Sequence, residues 1–322
     1  MKVRVLLLSA LWLAFFSVHM AAEARDTFPD KPVKLIVPYG PTASNTLARE
    51  LAQLLSQAWK QGVVVENITG AGGLVGTQVL RNASPDGYTL GVVASSHSMS
   101  PALNQNVPFD PIADFTPIAL LGSVPLVLVS PAGTYDSLPE LLKQAKSRPG
   151  ALTFGSTGVG SVTHLSIELL LRKVNAAAVH VPYRGAGPLL PDLITGRVTL
   201  AALSIAVALP QIEAGKLTAL AVTSGTRAAS LPNTPTVSET VGGYAISPWI
   251  ALLAPRGVPM STSERIREDL KKIVDGTPSL VKRMREQGIE VSVAEPGGFW
   301  ADVAQEVVQW KKVAEAAGIQ PE

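Results

Sequence analysis

Between Val33 and Ser224, apolar runs of strand length alternate with helical patterns, and that alternation confines the chain to a few architectures. "VKLIVPY" (33–39) is a buried-strand run, and turn-forming "GPTASN" follows it. "TLARELAQLLSQAW" then sets Leu47, Leu51, Leu54, Leu55 and Ala58 on one helical face. Ser44 or Asn45 reads as its N-cap. "VVVEN" is a strand, "ITGAGGLVGTQVLRNA" a glycine loop entering a helix, and "PDGYTLGVVASS" a turn and a strand. After "FDPIADFTPIALLG" the order restarts near Val124: "VPLVLVS", "ALTFGS", "AAVHVPY", "VTLAAL" and "LTALAVTS" read as strands. "SLPELLKQAKS", "SVTHLSIELLLRKV" and "GPLLPDLITG" are the intervening helices. The tail reads as mostly helical, through "SERIREDLKKIVDG", "PSLVKRMREQG" and "GGFWADVAQEVVQWKKVAEAAG". The pattern predicts an α/β fold with mostly parallel sheets, in two units joined by short crossings around a cleft.

The first residues, "MKVRVLLLSALWLAFFSVHMAAEA", have the form of a secretory signal. Lys2 and Arg4 precede an apolar stretch from Val5 to Val18, and Ala22-Glu23-Ala24 is a small-x-small cleavage site. The apolar part is short for a membrane span. An exported chain, most simply periplasmic, is the expectation, with residues 1–24 removed. The 322 residues contain no cysteine, which excludes disulfides, thiolate metal sites and a cysteine nucleophile. A formal charge of +2 without a long basic run gives no reason to expect nucleic acid as a partner.

Three glycine- and hydroxyl-rich turns follow predicted strands and open predicted helices: Gly40 to Asn45, Gly155 to Ser161 and Gly185 to Gly187. Loops at strand C-termini line the crevice of open parallel sheets. Helix starts there present unpaired N–H groups and partial positive charge, so they hold anions without lysine or arginine. Candidate binding positions are Tyr39, Thr42, Ala43, Ser44 and Asn45 in the first turn, and Ser156, Thr157, Val159, Gly160, Ser161 and His164 in the second. Tyr183 and Arg184 precede the third, and Arg184 suits a bidentate carboxylate contact. Ser95 and Ser96 stand at a strand end before His97, a fourth place facing the crevice. Ordinary capped turns and a rim arginine are the plainer readings of the same residues.

Signals for catalysis are weak. Ser161 and His164 lie three residues apart, poor geometry for a nucleophile and its base, and G-x-S-x-G is absent. Ser161 is more simply an N-cap. No glycine loop has the G-x-x-x-x-G-K-[ST] or G-x-G-x-x-G frame, and the four histidines show no metal spacing. Neither cofactor nor metal is expected. An exported serine hydrolase using Ser161, Ser156 or Ser96 stays as the alternative from another class, and a sensor presenting its ligand to a signalling protein is a third reading.

Five blocks in order resemble the Bug family, periplasmic solute receptors of tripartite tricarboxylate transporters. They are "FPDKPVKLIVPY", "VENITGAGGLVGTQVLRNASPDGYTL", "FGSTGVGSVTHL", "VPYRGAGPLLPDLITGRV" and "AGKLTALAVTSGTRAASLPNTPTVSE". The resemblance implies a two-lobed, periplasmic-binding-protein-like (Venus flytrap) fold, type II-like, that closes on a small carboxylate and delivers it to membrane permease subunits. The expected division is lobe 1 at 25–123 plus 248–322 and lobe 2 at 124–247, and nothing in the pattern demands more than a monomer. The resemblance also implies carboxylate binding mainly by backbone amides and ordered water from the loop after the first strand and from "GSTGVGS". Two departures from the family's pattern stand out. The first loop here is Pro41-Thr42-Ala43-Ser44-Asn45, one residue short and without glycines. It implies either a tighter pocket or a carboxylate held by the Thr42 and Ser44 hydroxyls. Leu203-Ser204 stands where many members carry an aspartate able to meet an ammonium group. Ser204 joins the candidate positions, and a ligand without a cationic group is expected.

Overall fold

The computed structural model describes residues 28–40 and 42–321. The N-terminal signal and its cleavage point lie outside the described residues, as does Pro41. The first five elements are β1 (Val33–Val37), α1 (Ala43–Trp59), β2 (Val63–Asn67), α2 (Leu74–Arg81) and β3 (Thr89–Ala94). Next come α3 (Ser96–Leu103), β4 (Phe115–Ser123) and β5 (Leu126–Pro131), followed by α4 (Leu138–Ser147), β6 (Thr153–Ser156) and α5 (Val162–Lys173). Strand β7 (Val179–Pro182) leads to α6 (Ala186–Ile194), β8 (Leu200–Ser204), α7 (Ile205–Glu213) and β9 (Leu217–Val222). The chain finishes with β10 (Trp249–Pro255), α8 (Met260–Asp275), α9 (Pro278–Glu286), β11 (Glu290–Ala294) and α10 (Pro296–Ala316).

Helix α1 shows how local sequence makes these elements. Leu47, Ala48, Leu51, Ala52, Leu55 and Trp59 recur at three- and four-residue spacing and form its buried face. Each fully buried leucine contributes roughly 1.5–3 kcal/mol. The helix begins earlier than its sequence suggests. Thr42, still extended, is the N-cap and makes no side-chain capping bond, while its carbonyl accepts the Thr46 N–H at 3.0 Å. Ser44 and Asn45 therefore lie inside the first turn. Lys60 ends the helix in the left-handed region, φ 57°.

Among the described residues the strands form two sheets, ordered β11-β4-β10-β3-β1-β2 and β7-β6-β8-β5-β9. Both are mixed rather than mostly parallel. In the first, β1 pairs parallel with β2 and β3, but β10 is antiparallel to β3 and β4. In the second, β6 pairs parallel with β7 and β8, but β5 is antiparallel to β8 and β9. The interior strand that runs against both neighbours, β10 or β5, has in each case just crossed from the other sheet, while β11 is a second antiparallel strand at the edge of the first. Leu126 at the start of β5 faces Ser204 at the end of β8, and Trp249 at the start of β10 faces Ser123 at the end of β4. A strand entering at the cleft end can only run against its parallel neighbours. The two crossings touch: the Val124 N–H donates to the Pro248 carbonyl at 2.7 Å. The tail holds a strand, β11, that a helical reading misses; it is a short, half-exposed partner of β4.

Behind the crossings the units share core. Met99 and Ala102 of α3, and Trp310, Val313 and Ala314 of α10, pack in one apolar cluster with Leu165 and Leu169 of α5. The architecture is α/β, with one sheet in each of two lobes. No helix among the described residues is long and apolar enough to cross a membrane.

Candidate functional site

A cavity of about 450 Å³ lies between the two sheets, against the crossings. Five helices begin at it: α1 at Thr42–Ser44, α3 at Ser95–Ser96, α5 at Ser161–Thr163, α6 at Ala186 and α7 at Ser204. None of its lining residues among the described ones is charged. The positive character of the cavity therefore comes from helix starts, not from side chains.

On the first-sheet side, Tyr39 anchors the wall. Its hydroxyl accepts the Ala94 N–H at 3.2 Å and the Ser96 hydroxyl at 2.8 Å. Burial pushes the phenol pKa up, so it stays a neutral donor whose own proton is unspent. Ser95 Oγ accepts the Trp249 N–H at 2.7 Å. Ser44 is 3% exposed and lines the cavity with no hydrogen-bond partner among the described residues.

The second-sheet loop differs in kind, because most of its donors are spent internally. The Thr157 N–H donates to Thr163 Oγ1 at 2.9 Å, and Gly158 N–H to Ser156 Oγ at 3.2 Å. Gly160 N–H donates to His164 Nδ1 at 3.1 Å, and Ser161 N–H to the Gly158 carbonyl at 3.2 Å. Thr157 and Ser161 hydroxyls each lie 2.9 Å from Thr163 Oγ1. Ser161 caps α5 by accepting the His164 N–H.

Ten of the sixteen positions singled out in the sequence line the cavity together: Tyr39, Thr42, Ala43, Ser44, Ser95, Ser96, Thr157, Gly160, Ser161 and Ser204. Six do not. Asn45 points along α1 and accepts from Arg49 Nε at 2.8 Å. Val159 is 63% exposed. Tyr183 turns to Asp192, donating at 2.8 Å, and Arg184 is exposed with no ion pair among the described residues. Ser156 is fully buried, 2.7 Å from His180 Nε2, and His164 packs behind the loop. A serine closed off in this way has no access to a substrate, and Ser161 spends its proton on the Gly158 carbonyl at 2.7 Å. His97 is not at the crevice either. It is buried against Phe109 and Phe115, with Nε2 2.7 Å from the Pro111 carbonyl.

The sequence reading missed the apolar wall: Met99, Leu103, Val124, Leu126, Val162, Trp249 and Ile250. Their spacing is that of ordinary core residues, so no local signal separates them from one.

This fold and cavity define a two-lobed solute-binding protein. The model of the tripartite tricarboxylate transporter family receptor matches residues 47–319, and the chain belongs to that family. It is similar to protein BugT of Bordetella pertussis, 33% identical with 98% of each chain covered. Among solved structures it resembles a TctC solute-binding protein from Polaromonas, TM-score 0.81 at 27% identity, covering 90% of this chain and 99% of that one. It also resembles Rhodopseudomonas palustris Rpa4515 with adipate, TM-score 0.73 at 32% identity, covering 92% and 100%. A third likeness is to MatC of the same organism with bound malate, TM-score 0.70 at 28% identity, covering 89% and 99%.

Proposed function

We propose that the protein captures a small organic carboxylate in this cavity and delivers it to the membrane permease subunits of a tripartite tricarboxylate transporter. The observation that carries the reading is the convergence of five helix starts on a cavity with no charged side chain among the described residues, a cradle for an anion built from backbone dipoles. Relatives of the same fold hold adipate and malate. The ten lining positions, from Tyr39 to Ser204, form the binding site, and the protein performs no catalysis. Lobe 1 is residues 25–123 plus 248–322 and lobe 2 is 124–247, a division supported by strand membership of the two sheets. The lobes close as a hinge about the Val124–Pro248 pair, a movement typical of such receptors. The protein works as a periplasmic monomer after cleavage near Ala24.

The test is a thermal-shift screen of the purified protein against C3–C8 mono- and dicarboxylates, aromatic acids and amino acids. A ligand at a hundredfold over its Kd adds roughly 2.7 kcal/mol, seen as a raised Tm. The expected hits are carboxylates without an ammonium group, because no carboxylate among the described residues lines the cavity to pair with one. Silence across every carboxylate would remove the receptor reading; tight binding of aspartate or glutamate would remove the restriction on cationic groups.

A further inference from the structure

We infer that the cavity takes a monocarboxylate with an apolar body, aromatic or branched aliphatic, its single anionic end at the start of α1. The inference rests on the receptor reading and narrows it to a ligand class.

The donors are unevenly distributed. In the loop after β6, the N–H groups of Thr157, Gly158, Gly160 and Ser161 are already donated within the loop and its helix. An anion seated there has to displace existing bonds. The start of α1 is the opposite case. The first N–H groups of this 17-residue helix have no intrahelical acceptor. The hydroxyl of Ser44, a residue 3% exposed with no hydrogen-bond partner among the described residues, lies among them, and the unspent Tyr39 proton is on the same wall. These donors suit one carboxylate.

The rest of the wall suits hydrocarbon. Met99, Leu103, Leu126, Leu203 and Ile250 line it, and Trp249 offers only its ring, since its indole N–H is donated to Glu306 at 2.9 Å. A second carboxylate here would be stripped of water against side chains that cannot donate to it, an expensive transfer. An apolar body gains from the same burial. Ser204, whose hydroxyl has no partner among the described residues, leaves room for an oxygen substituent on that body.

Isothermal titration of the purified protein with phenylacetate, 4-methylpentanoate, adipate, malate and citrate tests this. The expected result is that the better of the two monocarboxylates binds at least tenfold more tightly than any of the other three. Tighter binding of adipate, malate or citrate overturns the ligand class while leaving the receptor reading intact. Binding of none of the five overturns the class, and extension of that silence to the wider carboxylate screen takes the receptor reading with it. A variant checks the placement of the body. Leu103 is only partly buried, and Leu103→Arg puts a cation on the apolar wall. It should move the adipate-to-monocarboxylate affinity ratio at least tenfold toward adipate; an unchanged ratio in a folded variant overturns the placement.

Discussion

His164 and His180 stack face to face behind the binding loop, ring centroids 3.7 Å apart and planes 8° from parallel. The Gly160 N–H donates to His164 Nδ1, which places the His164 ring proton on Nε2, toward Glu168 Oε1 at 3.6 Å. Phe154 lies beside both rings, its centroid 4.9 Å from His180 and 5.9 Å from His164. A cavity residue, Gly160, is thus held by a histidine that does not itself reach the cavity.

That stack makes stability pH-dependent. Burial, then the neighbouring His164, lowers the His180 pKa to about 4, and burial does the same to His97. Both histidines bind a proton more readily when unfolded, so their contribution is complete above about pH 6.5 and is lost as pH falls toward 4. For buried His97 the loss is on the order of 3 kcal/mol, and it is smaller for the more exposed His180. Urea unfolding at pH 7.5, 5.5 and 4.5 should show the decline, and His180→Phe should flatten part of it while keeping the ring stack. An unchanged pH slope in that variant would contradict the assignment.

Tyr39 and Ser44 should separate stability from binding. Tyr39→Phe leaves the Ala94 N–H and the Ser96 hydroxyl without their acceptor, costing about 1–3 kcal/mol in unfolding free energy as well as ligand affinity. Ser44→Ala removes a hydroxyl with no partner among the described residues, so stability should move by less than about 0.5 kcal/mol. Its ligand affinity should fall roughly tenfold, as expected for one hydrogen bond to a charged group. Chemical denaturation and calorimetry on both variants give the comparison; equal stability losses would show that Ser44 is structural.

Gly160→Ala should damage the loop directly. Gly160 has φ +72°, and an added Cβ would meet Leu103 Cδ2 at 2.7 Å. The backbone strain alone is worth about 1–2 kcal/mol, with the crowding added to it. The expected outcome is a lower Tm and weaker binding together, because Gly160 and Leu103 both line the cavity. A variant that keeps wild-type Tm would mean the loop relaxes around the new methyl.

Glu306 should act with the opposite pH sign to the histidines. It reaches from α10 to accept the Ser98 hydroxyl and the Trp249 indole N–H, each at 2.9 Å, and burial raises its pKa. A carboxyl whose folded pKa is raised contributes stability that is complete below about 4.5, its unfolded value, and is lost as pH rises through the folded value. Glu306→Gln, which stays neutral, should therefore lose less stability than the wild type between pH 4.5 and 7.5. Glu306→Ala should cost about 1–3 kcal/mol by orphaning the Trp249 donor. Thermal melts of both variants across that range are the check, and a Gln variant as pH-sensitive as the wild type counts against it.

Much of the architecture was legible residue by residue. The 3.6-residue spacing of Leu47, Leu51 and Leu55 and the short apolar run at 33–37 carry their own period, which local backbone geometry obeys. The strand-to-helix turns were equally readable, since Gly, Ser and Thr concentrate there for reasons of φ and capping. Strand direction was not. Nothing in "VPLVLVS" says that β5 runs against β8; that follows from where the chain crosses. The short β11 hid in a helical tail because an edge strand needs only a partner, not a strong pattern of its own.

The sequence alone determined the α/β alternation, the absence of thiol chemistry and the loops that reach the cleft, because each depends on residue type and on neighbours within a few positions. Tertiary structure decided which of those residues face the cavity. Ser44 lies in the cavity and Asn45, the next residue, along the helix, since 100° of helical turn separates them. Ser156, Tyr183 and His164 were drawn away by His180, Asp192 and Gly160. Met99 and Trp249 joined the site from elements whose spacing marks them only as core. Whether a side chain meets a ligand or a neighbour is set by contacts between distant segments, and no local pattern encodes that choice.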